Sequence, residues 1–335
     1  MSRSDAGRAD DDVEHREELP ANSLSIVICT CNRCASLATT LASVNACRLP
    51  ADRPVELVVI DNNSTDDTAT VCADFALVAR MRFRRVLETR QGLSFARNRG
   101  VAEAAGDVVI FTDDDVLVDD KWIVIYAQEF GENHVDCVFG RVRPDWRGYR
   151  PPWFSDQLRP AYALLDYGDA RLVVTDALHE FFGANFAIRK DAIVELGGFD
   201  VRLGRTMEKL YIGEETRIYH DLLSRGRAIV YNSSIDVKHV IDEGRKEKAY
   251  LLKYYSETSH SLVYMSLQGS PKRRVFGIPL VRAKAFAAFY ATALPRLVHL
   301  ALKRDAAGLF ALRLTGRRNW RMILLYLRAR FAHVD

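Results

Sequence analysis

Three consecutive aspartates follow a short apolar run, and this arrangement limits the fold more than any other feature of the sequence. Asp113, Asp114 and Asp115 come directly after the apolar stretch 108–111, in the segment FTDDDVLVD. A continuously apolar strand is buried on both faces, as in a helix-covered α/β sheet, and such sheets bind ligands at the carboxyl ends of their strands. Because Mg²⁺ binds through one or two carboxylates plus phosphate oxygens, the run predicts a metal–diphosphate site. The alternative is a solvated acidic turn before the next helix.

The first half of the chain alternates between strand and helix patterns. Apolar strands are predicted at 24–30, 55–60, 82–87 and 108–111. Helices are predicted to begin near Ser36, to be capped by Ser64 or Thr65, and to begin at Ser94. Four strand–helix units in about 90 residues indicate a parallel, doubly wound sheet.

The second half is less regular. Four prolines interrupt the segment 144–160, which we expect to be a long ordered loop because it also carries Trp146, Trp153 and Phe154. After it, strands are predicted at 186–189, 228–231 and 235–239, and helices at 191–196 and 214–224.

Composition bounds the class of protein. The 335 residues are 48% hydrophobic and 27% charged, as in an ordinary globular chain. Residues 1–22 are polar and acidic, so they predict a disordered tail, and they contain no apolar segment of the kind found in signal peptides. We therefore expect a cytoplasmic protein.

The six cysteines agree with that compartment, because they fall in or beside predicted core elements and form no secreted-type framework. Cys29, Cys31 and Cys34 suggest a zinc site. However, Cys29 lies inside an apolar strand, and no second Cys or His pair completes four ligands. The sequence therefore disfavours zinc.

The C-terminal region 269–335 is strongly basic. Residues 272–330 hold 14 Lys and Arg and one acid, Asp305, so the rest of the chain carries a net charge of −10 within a total of +3. We predict amphipathic helices on an anionic membrane surface, with Trp320, Phe286 and Phe289 toward the lipid. Pro295 and Arg296 are expected to interrupt the apolar stretch 285–302, and 322–327 is too short to span a bilayer.

The basic region is also consistent with two alternative roles, as a helical cap on the core or as a nucleic-acid patch. The second role is disfavoured because the aromatic-interleaved polar pattern of a nucleic-acid groove is missing. The expected location is the inner face of the cell membrane, with peripheral attachment and no nucleic-acid partner.

Other polar residues also fall at the ends of predicted elements. Asp61 directly follows the strand at 55–60, where it fits a nucleobase or ribose as well as a local turn. Arg97 lies on the helix that begins at Ser94, from which it could reach a diphosphate. In the segment GANF, Gly183 leaves room for a substrate near the backbone, and Asn185 offers it a donor and an acceptor.

The paired acids Glu214 and Glu215 begin a helix after Gly213. The helix dipole favours an ionised carboxylate in this first turn, as a general base requires. Considered alone, such a pair is far more often explained by simple helix-end electrostatics.

Taken in order, these motifs resemble the family 2 glycosyltransferases of the GT-A fold. The resemblance extends from about Leu24 to Tyr264. It depends on SIVICTCNR, VVIDNNSTDDT, GLSFARNRG, FTDDDV, GANFAIRK, GGFD, GEE and His239. It implies an α/β fold with a doubly wound mixed sheet flanked by helices, to which the basic helical extension is added. The catalytic domain would cover 23–268, with a nucleotide-binding half at 23–120 and an acceptor half at 121–268.

The resemblance also implies an activity. This is transfer of a sugar from a nucleotide-diphosphate donor, with inversion at the anomeric carbon, to a hydroxyl of a glycan, a lipid-linked or a small-molecule acceptor. A divalent metal, Mg²⁺ or Mn²⁺, would assist.

Roles implied by the resemblance are assigned by position. Asp115 would bind the metal, with His239 as a second ligand, and Glu215 would be the catalytic base, with Glu214 as its rival. The nucleotide would be held by Thr30, Asn32, Arg33, Asp61, Arg97, Asp113 and Asp114. Two positions depart from the family: Glu215 stands where Asp is common, and Cys31 where Tyr is common.

Two other function classes share parts of this pattern. A nucleotidyltransferase would use a similar nucleotide-binding half but would not need Glu215. A non-catalytic scaffold that binds sugar nucleotides would not need intact acids at 61, 113, 115 and 215.

Overall fold

The computed structural model describes residues 23–132, 134–268 and 273–331. The predicted tail at 1–22 lies outside the described residues. The fold is the mixed α/β arrangement implied by the sequence, with one large sheet, helices on both faces and helices at the C-terminus.

The first half confirms the predicted alternation. Strands β1 to β4 are joined by helices α1 to α3, and β3, β2, β1 and β4 pair in parallel in that order. The bounds are β1 Leu24–Thr30, α1 Cys34–Ala46, β2 Val55–Asp61, α2 Thr68–Ala76, β3 Arg82–Leu87, α3 Leu93–Glu103 and β4 Val108–Asp113. Strands β1 and β4 are almost fully buried, as their continuous apolar sequences predicted.

The start of α2 differs from the prediction. The helix begins at Thr68, and Asp66, not Ser64 or Thr65, accepts hydrogen bonds from the backbone and hydroxyl of Thr68. Ser64 and Thr65 instead bind Asn32 in the neighbouring loop. The predicted cap was wrong because these two side chains connect two loops.

The second half extends the sheet with mostly antiparallel strands in the order β4, β8, β6, β9 and β5, and β7 pairs with β9. The bounds are β5 Val116–Val118, α4 Trp122–Glu132, β6 Cys137–Asp145, β7 Leu172–Val174, β8 Asn185–Arg189, α5 Lys190–Glu195, α6 Glu214–Ser224, β9 Ile229–Val240 and α7 Lys248–Gln268. One strand, β9, replaces the two short strands predicted at 228–231 and 235–239. The parallel pairing of β6 with β9 shifts register after Gly140.

The loop after β6 is ordered by its aromatic side chains, as predicted. Trp146, Phe154 and Tyr162 pack edge to face, with ring centroids 4.8 to 5.6 Å apart. Trp153 packs against Phe310 in the C-terminal region, at 5.4 Å. A short 3₁₀ helix, Asp156–Tyr162, then brings this segment to the edge of the sheet.

The C-terminal region forms a small hairpin, β10 Arg274–Val275 and β11 Ile278–Pro279, followed by helices α8 Leu280–Leu302 and α9 Ala306–Phe331. Helix α9 packs along α7, and Phe310 and Leu314 join the main core. Helix α8 attaches through a small cluster in which Phe286 is buried with Val263, Met322 and Tyr326. Phe286 therefore faces protein and not lipid, contrary to the prediction.

Helix α8 also corrects the expectation that Pro295 breaks it. The helix has 23 residues and continues through Pro295. Among the described residues, α8 is the one helix that is long and apolar enough to cross a membrane. Only 6% of its 18-residue apolar segment is buried.

Candidate active site

A cavity of about 290 Å³ opens at the carboxyl ends of β1 and β4, beside the first turn of α6. Its walls bring together residues that are far apart in the sequence. The predicted site residues that line it are Thr30, Arg33, Arg97, Asp113, Asp114, Asp115, Glu214, Glu215 and His239. This is the sheet edge at which the sequence placed a ligand site.

Asp114 lies at the centre of one wall. Thr30 Oγ1 donates to its Oδ2 at 2.6 Å, and Arg33 Nε lies 3.3 Å from its Oδ1. Burial raises the pKa of Asp114 to about 7, against the lowering effect of Arg33. Thr30 and Arg33 therefore share one carboxylate and hold the β1–α1 loop against the acidic run.

Asp115 and His239 face each other because of the pairing of β5 with β9. Strand β5 begins at Val116, the residue after Asp115, and Val116 lies opposite His239. Their Oδ1 and Nε2 atoms are 3.1 Å apart, and both side chains are buried. The Nδ1–H of His239 donates to the carbonyl of Tyr162 at 2.7 Å. Nε2 is then an acceptor, and Arg245 Nη1 lies 3.0 Å from it.

This pair fits a divalent cation. Asp115 Oδ1 is buried and has no hydrogen-bond partner, and His239 Nε2 lies 3.1 Å from it. Arg245 contacts both residues, and a carboxylate oxygen beside an imidazole nitrogen is also a donor set that suits Mn²⁺. Over the described residues no three His, Cys, Asp or Glu side chains are grouped to hold a metal. The remaining ligands would therefore come from a bound molecule.

Arg97 occupies the floor of the cavity. Its Nη1 lies 2.7 Å from Glu214 Oε1 and its Nη2 lies 3.5 Å from Asp113 Oδ1. Arg97 and Glu214 are each 3% exposed. A Cβ on Gly183 would come within 1.8 Å of Arg97 Nη2. The small residue at 183 therefore makes room for this guanidinium, whereas the sequence suggested room for a substrate.

The two adjacent glutamates have different surroundings. Glu214 is buried in the cavity wall, where burial and the neighbouring Glu215 raise its pKa to about 8 despite Arg97. Glu215 lines the cavity and accepts a hydrogen bond from the Gly183 amide at 3.3 Å through Oε1. Its Oε2 has no hydrogen-bond partner and lies 3.8 Å from Arg97. Both glutamates line the cavity and keep an Oε2 without a hydrogen-bond partner, but Glu214 is bound to Arg97 at 2.7 Å, whereas Glu215 lies 3.8 Å from it.

Two residues predicted to bind the nucleotide do not line the cavity. Asp61 is fully buried and accepts hydrogen bonds from Arg85, at 2.6 and 3.0 Å, and from the Ser64 amide. Asn32 has φ of +53° and accepts from the Thr65 amide at 2.7 Å. In this structure both residues stabilise the loops around the site.

Asn185 also has a structural role. Its side-chain oxygen accepts from Trp122 and Tyr126, each at 2.9 Å. Its Nδ2 donates to the carbonyls of Arg141 and Ile235, each at 3.0 Å. Because these four bonds use its full capacity, Asn185 offers nothing to a substrate, contrary to the sequence expectation.

The structure adds cavity residues that sequence reasoning missed, mainly Arg205, Arg245 and Tyr254. Arg245 lies in the run GRKEK, which resembles an ordinary solvated basic turn. Arg205 lies in the loop 197–213, beyond the GGFD motif at its start and in a stretch that carries none of the motifs named above. Only the folded chain places these residues beside Asp115.

Comparison with known proteins shows the family of this chain. The profile described as Glycosyl transferase family 2 matches residues 25–197. Among curated relatives, the Haloferax volcanii glucosyl-dolichyl phosphate glucuronosyltransferase is 28% identical over 237 residues, or 68% of this chain and 72% of that one. The succinoglycan biosynthesis protein ExoM of Rhizobium meliloti is 25% identical over 87% of this chain and 89% of its own length.

A solved structure shares the fold. The mannosyltransferase PcManGT from Pyrobaculum calidifontis, in complex with GDP-Man and Mn²⁺, superposes with a TM-score of 0.57. The alignment covers 94% of this chain and 89% of that one, at 19% identity.

We expect Glu214→Gln to change how stability depends on pH. The folded-state pKa of about 8 lies above the ordinary value of 4.5, so between these values the folded wild type binds more protons than the unfolded chain. Its free energy of unfolding therefore falls as the pH rises through this window, and glutamine removes that dependence. Urea denaturation at a series of pH values measures the free energy of unfolding of both proteins. The value for the wild type minus the value for the variant should decrease from about pH 5 to about pH 8. A pH-independent difference would contradict the assignment.

Proposed function

Because the chain belongs to the family 2 glycosyltransferases, a class that uses nucleotide-sugar donors, we propose that it transfers the sugar, with inversion, to a hydroxyl of a glycan or lipid-linked acceptor at a membrane. The observation that carries the proposal is the place of Glu215 on the cavity wall, where its Oε2 has no hydrogen-bond partner and lies 3.8 Å from Arg97, whereas Glu214 is bound to that arginine at 2.7 Å. A carboxylate oxygen without a hydrogen bond is available to accept a proton from the acceptor.

In the proposed reaction Glu215 takes the proton of the acceptor hydroxyl while that oxygen attacks the anomeric carbon. The bond between this carbon and the nucleoside diphosphate breaks on the opposite face, so the configuration inverts. Glu214 is a positioning residue, because its ion pair with Arg97 fixes the first turn of α6. The Gly183 amide holds the other oxygen of Glu215.

The sugar donor would lie across the acidic wall. Asp115 and His239 are the residues that would hold a divalent metal, and Arg33 is close enough to share the diphosphate. When bound, the metal stabilises the negative charge that develops on the departing diphosphate. The Mn²⁺ in the PcManGT structure supports this cofactor class.

Glu215→Gln tests the proposed base. We expect it to lower the rate of sugar transfer by about 10²- to 10⁴-fold, the usual contribution of a general base, and to leave sugar-donor affinity near wild type. Turnover is measured with a panel of nucleotide sugars and Mn²⁺, with identification of the released product.

Three results would contradict this reaction. Full activity of Glu215→Gln would show that a group other than Glu215 is the catalytic base. Release of pyrophosphate would indicate a nucleotidyltransferase. Absence of both sugar transfer and donor hydrolysis with every metal tested would favour a binding scaffold.

Asp115→Ala tests the metal. We expect metal-dependent binding of the nucleoside diphosphate to be lost, because the variant removes the carboxylate that faces His239. Titration with Mn²⁺ and a nucleoside diphosphate, followed by thermal shift, measures the effect. Asp236→Ala serves as a control, since that carboxylate pairs with Arg143 and lies outside the cavity. Equal metal-dependent stabilisation of both variants would exclude Asp115 as a ligand.

The proposed membrane contact is through α8 and α9. Several large apolar side chains on these helices are exposed, which is costly in water but favourable at a lipid surface. They include Val281, Leu294, Leu297, Val298, Leu302 and Trp320. Arg282, Lys284 and Arg296 are also at least partly exposed and would meet anionic head groups.

We expect the full chain to float with anionic vesicles at low salt and to be released at high salt. Each basic residue near the surface contributes about 1 kcal/mol, and this attraction is screened. Flotation with neutral vesicles is the control. If the protein stays in the soluble fraction with anionic vesicles, α8 and α9 are instead a helical cap on the core. Retention at high salt would indicate that α8 inserts across the bilayer.

A further inference from the structure

Glu180 is an acid outside the cavity wall that binds the helix carrying Glu215. Thr216 Oγ1 donates to Glu180 Oε2 at 3.3 Å, and His220 Nε2 lies 3.3 Å from Glu180 Oε1. Both partners lie on α6, one helical turn apart. Each carboxylate oxygen of Glu180 therefore has a partner on this helix, although Glu180 does not itself line the cavity.

The segment 176–183, which contains this acid, follows one face of α6. Near its start, the carbonyl of Asp176 accepts a hydrogen bond from the Tyr219 hydroxyl. At its end, the Gly183 amide donates to Glu215 Oε1 at 3.3 Å. The segment therefore runs from the second turn of α6 to its first turn, where the proposed base lies.

The position of the Glu215 carboxylate depends on the end of this segment. Its Oε1 accepts from the Gly183 amide, while its Oε2 has no hydrogen-bond partner and lies 3.8 Å from Arg97. At 3.3 Å the bond to Gly183 is just beyond the usual range for an N–H···O hydrogen bond. A small displacement of the segment would therefore release Glu215.

We infer that Glu180 is a positioning residue for the proposed base. Its two contacts with α6 hold the segment 176–183 on the helix, so that the Gly183 amide keeps one oxygen of Glu215 in place and the other can take the proton. The inference rests on the proposed function. A misplacement of about 1 Å can cost about 10²-fold in rate, since proton transfer requires hydrogen-bond distance.

An electrostatic role is the alternative, because Glu180 and Glu215 also affect each other through their charges. Burial raises the pKa of Glu180, His220 lowers it, and Glu215 raises it further. The two roles differ in the effect of glutamine at position 180. Glutamine keeps an oxygen for the Thr216 hydroxyl but carries no charge, so it should preserve the positioning role and abolish the electrostatic one.

Glu180→Ala and Glu180→Gln therefore test the inference. We expect Glu180→Ala to lower kcat for sugar transfer by about 10- to 100-fold and to leave KM for the sugar donor within about twofold, because only the base is misplaced. Glu180→Gln should recover most of the rate. In the Glu215→Gln background, Glu180→Ala should change the remaining rate by less than about twofold, because no base is left to position.

Amide hydrogen exchange of residues 180–184, followed by mass spectrometry, measures the segment without any assay of activity. We expect faster exchange in Glu180→Ala than in the wild type, because the segment is no longer held on α6. If Glu180→Ala does not fold, Thr216→Val removes the hydroxyl that binds Glu180 and should lower kcat in the same way.

Glu195→Ala is the matched control, because Glu195 pairs with Arg225 and Arg227 at the other end of α6, outside the cavity. It should keep kcat within about twofold, since this pair is exposed.

Three results would overturn the inference: a wild-type kcat in Glu180→Ala, an equal loss of kcat in Glu180→Gln, or an equal effect of Glu180→Ala with and without Glu215. Full activity of Glu215→Gln would instead contradict the proposed base, while the exchange rates would still show whether Glu180 holds the segment.

Discussion

The buried hydrogen bond from Arg97 to Glu214 is the interaction on which the site depends. It joins α3 of the first half to α6 of the second half across 117 residues of sequence. Loss of a hydrogen bond to a buried charged group costs about 1.5–3 kcal/mol. Adjacent helical residues point about 100° apart. Glu214 therefore reaches Arg97, whereas Glu215 reaches the Gly183 amide.

Features that depend on local pattern were predicted well. Strands β1, β2 and β4 were predicted to within one or two residues because their apolar runs reflect burial on both faces. Helix α6 has the bounds expected from its acidic first turn. Since parallel strands end at one edge of the sheet, the sequence alone places the acids after β4 at the cavity.

Features that depend on distant partners were not predicted. The side chain of Asn185 is fully hydrogen-bonded to α4, β6 and β9, three elements that are distant from it in the sequence. Asp61 is neutralised by Arg85 on β3, a partner that no local pattern reveals. In each case a tertiary contact outweighed the local signal.

The pairing of β5 with β9 has a consequence for how this chain can vary. Side chains alternate between the two faces of a strand, so a single inserted or deleted residue in β9 before His239 would turn the imidazole to the opposite face. The irregular register after Gly140 shows where such a change can be absorbed, since the bulge already accommodates unpaired residues of β9. The side of the sheet on which His239 lies therefore depends on the number of strand residues before it. Two inserted or deleted residues keep the imidazole on the same face, whereas a single one does so only where the bulge takes up the extra residue.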